Sequence, residues 1–411
     1  MQSLHLRSME SCEEKSMNSS LTSVPSRSAQ VRGFLKQNNL QAWIAWRPDE
    51  LLMLSGYFPY WGASLLVYFA DAEPILFVPQ LEPRDHIPAG LRVQEYPWGD
   101  LKCSDPYAEL TSAIRRALGK ENIRPERVGM LSASARTTLP IQAAEQIPIP
   151  ENFAARLSVV ASTPNPTSLA AFASLYLRKT PSEVDAIRRA NRVANVGLQA
   201  FHESLHPGVR EADIAAAVES EIYRQIGNDG IFHSRAWAMV QSGPNSADAG
   251  RFNRSTGRRL ENGDLVLIEL ATCVDGYWSD LTRTAPVGSL KSEVAELFEI
   301  VRDAQRLAVD GVRPGASAEE VDSLARNQVA AHGLDKFFTH HTGHHVGFRY
   351  HDPGFLIAPG IRDKLESGMV ITLEPGAYVP QRGAGARVED DVLVTESGHV
   401  VLSTAQGVSA P

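Results

Sequence analysis

Leu265-Val266-Leu267-Ile268-Glu269-Leu270-Ala271-Thr272-Cys273-Val274-Asp275-Gly276-Tyr277-Trp278-Ser279-Asp280 is the stretch on which the fold turns. Leu265 to Leu270 reads as a buried strand carrying one carboxylate. Val274-Asp275-Gly276-Tyr277 reads as a type I′ hairpin turn, because Asp-Gly tolerates positive φ at both central positions. With Asp275-Gly276 as the loop, Ala271 lies opposite Asp280. Glu269 is two residues from Ala271, so it points to the same face as Asp280. Two carboxylates then stand diagonally on one surface, close enough to share an ion. A lone acid inside an apolar strand is costly unless it is paired or ligates a metal. The plainer alternative makes Glu269 a strand-end surface residue and pairs Asp280 with Arg283.

Further along, Thr339-His340-His341-Thr342-Gly343-His344-His345-Val346-Gly347 precedes His351-Asp352-Pro353. Five of the twelve histidines fall between His340 and His351. His340 and His344 are four apart, which places them on one face for a period of two or near 3.6. Imidazole suits transition metals such as manganese, cobalt, zinc and iron. Gly343 and Gly347 point to close backbone approach, which a surface histidine cluster does not require. Two more acids sit on strands: Glu374 at the end of Gly368–Glu374, and Glu389 inside Gly385–Val394. Carboxylate oxygens are hard ligands, and several can bridge two cations. Four such carboxylates balance two divalent ions.

Working back toward the N-terminus, Thr180 caps a helix, with Pro181 at its first position and Glu183 completing a capping box. Val184, Ile187, Ala190, Ala194 and Phe201 follow at helical spacing. That helix leads to His206-Pro207-Gly208 and a second helix with Ile214, Val218 and Ile222. A later helix with Val294, Leu297, Phe298 and Val301 leads to Arg313-Pro314-Gly315 and another with Val321, Leu324 and Val329. Two helix–Pro-Gly–helix units separated by strands imply two similar halves. Residues 28–165 alternate short strands (Ala42–Trp46, Ser64–Phe69, Pro74–Val78, Val128–Leu131) with helix-like Val31–Leu40 and Ala108–Leu118, as in a small α/β domain. Ala161–Thr167 is a Pro-rich polar boundary. Residues 1–27 lack an apolar core segment and read as a disordered extension, not a secretory signal.

The 411 residues suggest two or three domains. A formal net charge of -8 argues against a nucleic-acid partner. Three cysteines argue against a disulfide framework and fit a reducing compartment. No apolar run reaches the ~18 residues that cross a bilayer. A soluble cytoplasmic protein with no membrane partner is expected.

The run Gly-Tyr-x-Ser-Asp-Leu-Thr-Arg-Thr at 276–284 resembles the pita-bread metallopeptidases. So do Gly343-His344-x-Val346-Gly347, Leu373-Glu374-Pro375-Gly376 and Arg387-Val388-Glu389-Asp390. Within that family the chain is most similar to the Xaa-Pro aminopeptidases and Xaa-Pro dipeptidases (prolidases). The resemblance is strong over about 170–406, and the preceding domain resembles the creatinase-type N-terminal domain. It implies an α+β protein: a pita-bread catalytic domain with a pseudo-twofold internal repeat over 170–406, after a smaller α/β domain over 28–165.

The resemblance further implies five ligands, Glu269, Asp280, His344, Glu374 and Glu389, around two divalent ions, manganese foremost and cobalt, zinc or iron as alternatives. Glu374 would also handle the proton of a water bridging the ions. His340 and His351 match two further histidines that hold the substrate and the tetrahedral intermediate, and Arg387 an arginine beside the last ligand. The implied reaction is cleavage of the amide bond before proline in dipeptides or short peptides by hydroxide held between the ions. A homodimer is also implied, with the partner's N-terminal domain helping to close the site; Tyr57, Tyr60 and Trp61 are candidates for that.

Two departures stand out. The first ligand is Glu269 where the family pattern has Asp, which moves its oxygens by about 1.5 Å. The family's peptidases carry a histidine that contacts substrate where Gly250 aligns here. Arg251 and Arg254 follow and are candidates to meet an anionic substrate. Two alternatives therefore stay open. One is a hydrolase of a small non-peptide C–N bond, like creatinase or ectoine hydrolase, with altered or absent metal and Glu269 as nucleophile or base. The other is a catalytically weak binding protein of the same fold.

Overall fold

The computed structural model describes residues 21, 24–59, 64–98, 103–131, 156–162, 166–251 and 253–403. The chain divides into two compact units, one spanning Pro25–Tyr176 and the other running from Leu177 onward and including Leu21 and Val24. Of the extension expected to be disordered over 1–27, residues 1–20, 22 and 23 lie outside the described residues, while Ser26 and Arg27 are ordered as the cap and first residue of a helix. Leu21 and Val24 themselves are buried against Val184, Ile187 and Val346.

In the first unit, helix α1 (Arg27–Gln37) starts where Ser26 accepts from the Ala29 amide. It precedes β1 (Ala42–Ala45), α2 (Pro48–Ser55), β2 (Leu65–Phe69), β3 (Ile75–Pro79), β4 (Arg92–Tyr96), α3 (Pro106–Lys120), β5 (Val128–Met130) and α4 (Pro166–Ala173). The sheet order is β4-β3-β2-β1-β5. β1–β2 and β2–β3 are antiparallel, while β1–β5 and β3–β4 are parallel. Ile44, Val67, Phe77, Ile114 and Met130 meet in its core. The expected strands and helices are present. β4 and α2 were not legible: β4 is an edge strand whose residues are largely exposed, so it lacks an apolar alternation.

The second unit carries the sequence-predicted repeat. Helix α5 (Pro181–Glu203) opens with the Thr180/Glu183 capping box, and α6 (Glu211–Tyr223) follows. Strands β6 (Ser234–Ser242), β7 (Leu265–Val274) and β8 (Tyr277–Pro286) form an antiparallel sheet. Phe201, Ile214, Val218 and Ile222 cover that sheet through Val240, Ile268, Leu270 and Leu281. Each such side chain contributes about 1.5–3 kcal/mol on burial. The second half repeats the plan with α7 (Ser292–Asp310) and α8 (Ala318–Ala331). Its strands are β9 (Val370–Leu373), β10 (Gly376–Val379), β11 (Ala384–Arg387), β12 (Asp390–Val394) and β13 (His399–Val401). β9 and β13 flank β12, and β10 pairs with β11. Leu297, Val301, Val321, Ile371, Leu373 and Val392 form this half's core.

Candidate metal centre

The β7–β8 turn has the expected geometry: Asp275 and Gly276 both have positive φ, 50° and 91°. Ala271 pairs with Asp280 and Glu269 with Thr282, so the two acids lie diagonally on one face. Both are buried. The alternative pairing of Asp280 with Arg283 does not occur. Arg283 instead meets Asp390 at 2.8 Å, and Gln305 holds the other Asp390 oxygen at 2.7 Å.

β8 also fixes the strand that brings Glu389. The Thr284 hydroxyl donates to the Arg387 carbonyl at 2.8 Å, and the Glu389 amide donates to the Thr282 carbonyl at 3.1 Å. The Thr282 hydroxyl donates to Glu389 Oε2 at 2.7 Å. Glu269, Asp280 and Glu389 thereby converge, with ligand oxygens within 4.8 Å of one another.

His344 arrives on an irregular segment bonded to β9. The Thr372 amide donates to the His344 carbonyl at 2.8 Å, and the Glu374 amide donates to the Thr342 carbonyl at 2.8 Å. Gly343 is required for that approach, since a Cβ there would lie 1.9 Å from the Thr372 carbonyl oxygen. His344 Nδ1 lies 3.0 Å from the His345 carbonyl, which fixes the proton on Nδ1. Its Nε2 lone pair then faces Asp280 Oδ2 at 3.4 Å and Glu374 Oε1 at 3.5 Å.

No period of two or near 3.6 relates His340 to His344, because their segment is neither helix nor strand. The imidazole that joins His344 at Glu374 is His341, with Nε2 3.4 Å from Glu374 Oε1. His340 turns instead to Tyr378, its Nε2 2.9 Å from the phenol oxygen, while Arg387 Nη1 donates to that same oxygen at 2.8 Å. His351 stands beside His344, ring centroids 4.3 Å apart, and joins Asp280 and His344 in a further three-donor group. Arg387 is buried and abuts the Glu269 carboxylate. Sequence reading missed His341, Tyr350 and Tyr378. The Tyr350 hydroxyl donates to Glu269. Only partner geometry reveals these three, since none interrupts a pattern.

Electrostatics follow from crowding. Burial, then the neighbouring Glu389 and Glu374, push the Asp280 carboxyl well above its usual range. Burial and Glu374 do the same to Glu389. Burial acts to raise Glu374 too, but the imidazoles of His341 and His344 overcome it and hold that carboxyl at about 2. Burial and His351 lower His344 to about 3, so it is a neutral imidazole at neutral pH. Among the described residues, Asp280 Oδ1 and Glu389 Oε1 are buried with no hydrogen-bond partner. Buried carboxylate oxygens of this kind call for a cation. The donor set, carboxylates plus neutral imidazole, fits divalent transition-metal ions.

Residues 185–396, slightly more than half the chain, match the model of metallopeptidase family M24. The chain belongs to that family. It is 38% identical over 230 residues to a protein named probable dipeptidase PepE of Mycobacterium tuberculosis, covering 56% of this chain and 59% of that one. It is 37% identical over 232 residues to an Xaa-Pro dipeptidase of Pyrococcus furiosus, covering 56% of this chain and 64% of that one. The match thus spans less than two thirds of either relative. The solved prolidase from Pyrococcus furiosus superposes with a TM-score of 0.67 at 28% identity, covering 91% of this chain and 99% of that one. The M24 match falls wholly within the second unit, which therefore carries the fold of this family.

Gly250 lies on an exposed turn where its amide meets Asp248 Oδ1 at 3.0 Å. Arg251 is tied to Asp248 at 3.0 Å and Asn245 at 3.1 Å, and Arg254 is exposed. Tyr57 is fully buried inside the first unit, its hydroxyl donating to Glu82 at 2.6 Å, so it is not presented to a partner. Tyr60 and Trp61 lie outside the described residues. No helix among the described residues is long and apolar enough to cross a membrane.

Proposed function

We propose that this chain is a metal-dependent peptidase that hydrolyses the amide bond before proline in dipeptides or short peptides. The observation that carries the reading is the pair of unpartnered buried oxygens, Asp280 Oδ1 and Glu389 Oε1, in the three-donor group they form with Glu269. The Pyrococcus furiosus relative is named as an Xaa-Pro dipeptidase. Glu269, Asp280, His344, Glu374 and Glu389 would hold two divalent ions. Such ions polarise a scissile carbonyl and make water nucleophilic at neutral pH.

The chain's own side chains do the rest. Glu374 is ionised at neutral pH and accepts the proton of the attacking water. His340 is neutral through burial, and Tyr378 and Arg387 steady it beside the substrate. His351 lies against His344 and orients the substrate from the other side. Manganese as the ion, a homodimeric assembly and a cytoplasmic location belong to the same reading and rest on the family resemblance.

A second reading, hydrolysis of a small non-peptide C–N bond, is favoured by Glu269, whose carboxylate meets Tyr350 and Arg387. One panel separates the two: an Xaa-Pro dipeptide, a longer Xaa-Pro peptide, creatine and ectoine, each with and without manganese. Manganese-dependent turnover of an Xaa-Pro substrate is the expected result. Turnover of creatine or ectoine alone overturns the peptidase reading.

A further inference from the structure

Two imidazoles, not one, address Glu374. His341 Nε2 stands 3.4 Å from Glu374 Oε1, and His344 Nε2 stands 3.5 Å from the same oxygen. A charge-assisted N–H···O bond is shorter, about 2.7–2.9 Å. Donors that share one tetrahedral ion at bond lengths of about 2.0–2.1 Å are separated by about 3.3 Å, the edge of the coordination polyhedron. The His344 Nε2 to Asp280 Oδ2 separation, 3.4 Å, repeats that spacing. His341, His344 and Glu374 each offer a ligand atom within 4.8 Å of the other two. Both imidazoles thus stand farther from Glu374 than a charge-assisted hydrogen bond places them, at the separation of donors arranged around an ion.

We propose that His341 is a metal ligand, which gives the His344–Glu374 position a second imidazole and shifts its preference toward zinc and cobalt relative to manganese. Nitrogen donors favour the later divalent ions, whereas carboxylates alone suit manganese. The backbone makes the contact possible. His341 is partly exposed, with its side chain 26% accessible, and lies three residues before His344 on the segment that Gly343 lets pack against β9. The inference rests on the metal-centre reading above and narrows it to a sixth donor.

The test uses the full chain stripped by chelator, in three forms: wild type, His341→Ala and His341→Gln. Glutamine retains an amide donor for Glu374 and removes the imidazole. Zinc and manganese dissociation constants are measured by competition with a chromophoric chelator, and the cobalt-loaded proteins are compared by their visible absorption. Thermal melting of the stripped proteins verifies folding. Both variants should bind zinc about tenfold or more weakly while manganese changes by less than about threefold, a shift of the size metal-site substitutions produce. The cobalt bands should shift in both variants. Unchanged zinc affinity with unchanged cobalt bands overturns the assignment. So does full rescue of zinc binding by glutamine, which would make His341 a hydrogen-bond partner of Glu374. A wild-type protein that takes up neither ion overturns the metal centre itself, and so fails in a different and recognisable way. Should His341→Ala not fold, the glutamine variant alone decides the matter.

Discussion

The Tyr350 hydroxyl donates to the Glu269 carboxylate, and both side chains are buried. Arg387 abuts the same carboxylate from the other side. The longer acid thus stands between a phenol and a guanidinium. Glu269→Asp withdraws the carboxylate by about 1.5 Å from the Tyr350 phenol and weakens a buried hydrogen bond, at a cost of about 1–3 kcal/mol. The expected outcome is a lower melting temperature for metal-free Glu269→Asp and partial recovery in Glu269→Asp/Tyr350→Phe. Strictly additive melting shifts would show that the two residues are not coupled.

Glu374→Gln preserves shape and removes the proton acceptor. Turnover on the preferred substrate should fall about 10²–10⁴-fold while the circular-dichroism spectrum and melting profile stay close to wild type. Near wild-type turnover would route the proton through another group.

Much of this site was legible because its cause is local. A lone acid in an apolar strand (Glu269), an Asp-Gly turn (Asp275-Gly276) and a glycine in a histidine run (Gly343) each break a pattern for a physical reason, and the hairpin register followed from them. Thr180 and Glu183 marked a helix start for the same reason. His341 was not legible as a donor, because its position depends on how an irregular segment packs against β9 and no sequence period governs that. Tyr350 and Tyr378 are ordinary core aromatics until their hydroxyl partners are seen. In the first unit, β4 was missed because an exposed edge strand has no buried face to pattern.

Asp391 gives the metal-free protein a pH signature. Burial pushes its carboxyl up to about 8, against the opposing pull of the Asn191 side chain and the Asp280 amide. The folded state therefore keeps a proton that the unfolded chain releases near its ordinary value of 3.8. Stability from this group is full below that value and is lost as pH rises through about 8. His344, lowered to about 3, acts oppositely, but its contribution is already complete above 6.5. Between pH 6.5 and 8 the carboxyl term stands apart from it, and stability of the stripped protein should fall by about 2 kcal/mol from this group. Urea denaturation across that window should show the fall in wild type and a shallower one in Asp391→Asn. Equal slopes would remove Asp391 as its source.

The last prediction concerns what holds the histidine segment. Asp322 on α8 is buried and accepts from Arg326 Nε at 2.9 Å, from Arg326 Nη2 at 2.8 Å and from the Thr342 hydroxyl at 2.7 Å. Arg326 in turn donates to the Phe338 carbonyl at 3.2 Å and the His340 carbonyl at 3.1 Å, with its guanidinium 4.1 Å over the Phe338 ring. One carboxylate thereby anchors the backbone on both sides of His341. Asp322→Ala strands a partly buried arginine and a buried hydroxyl, and truncating one partner of such a pair costs about 3–5 kcal/mol. Asp322→Asn keeps the shape and one acceptor and should cost less. Both should weaken metal binding in the order of their stability loss, since the segment that presents His341 and His344 loosens with its anchor. Chemical denaturation and metal titration on the same two variants test this together. A destabilised Asp322→Ala that binds metal with wild-type affinity would show that β9 alone is enough to position the histidines.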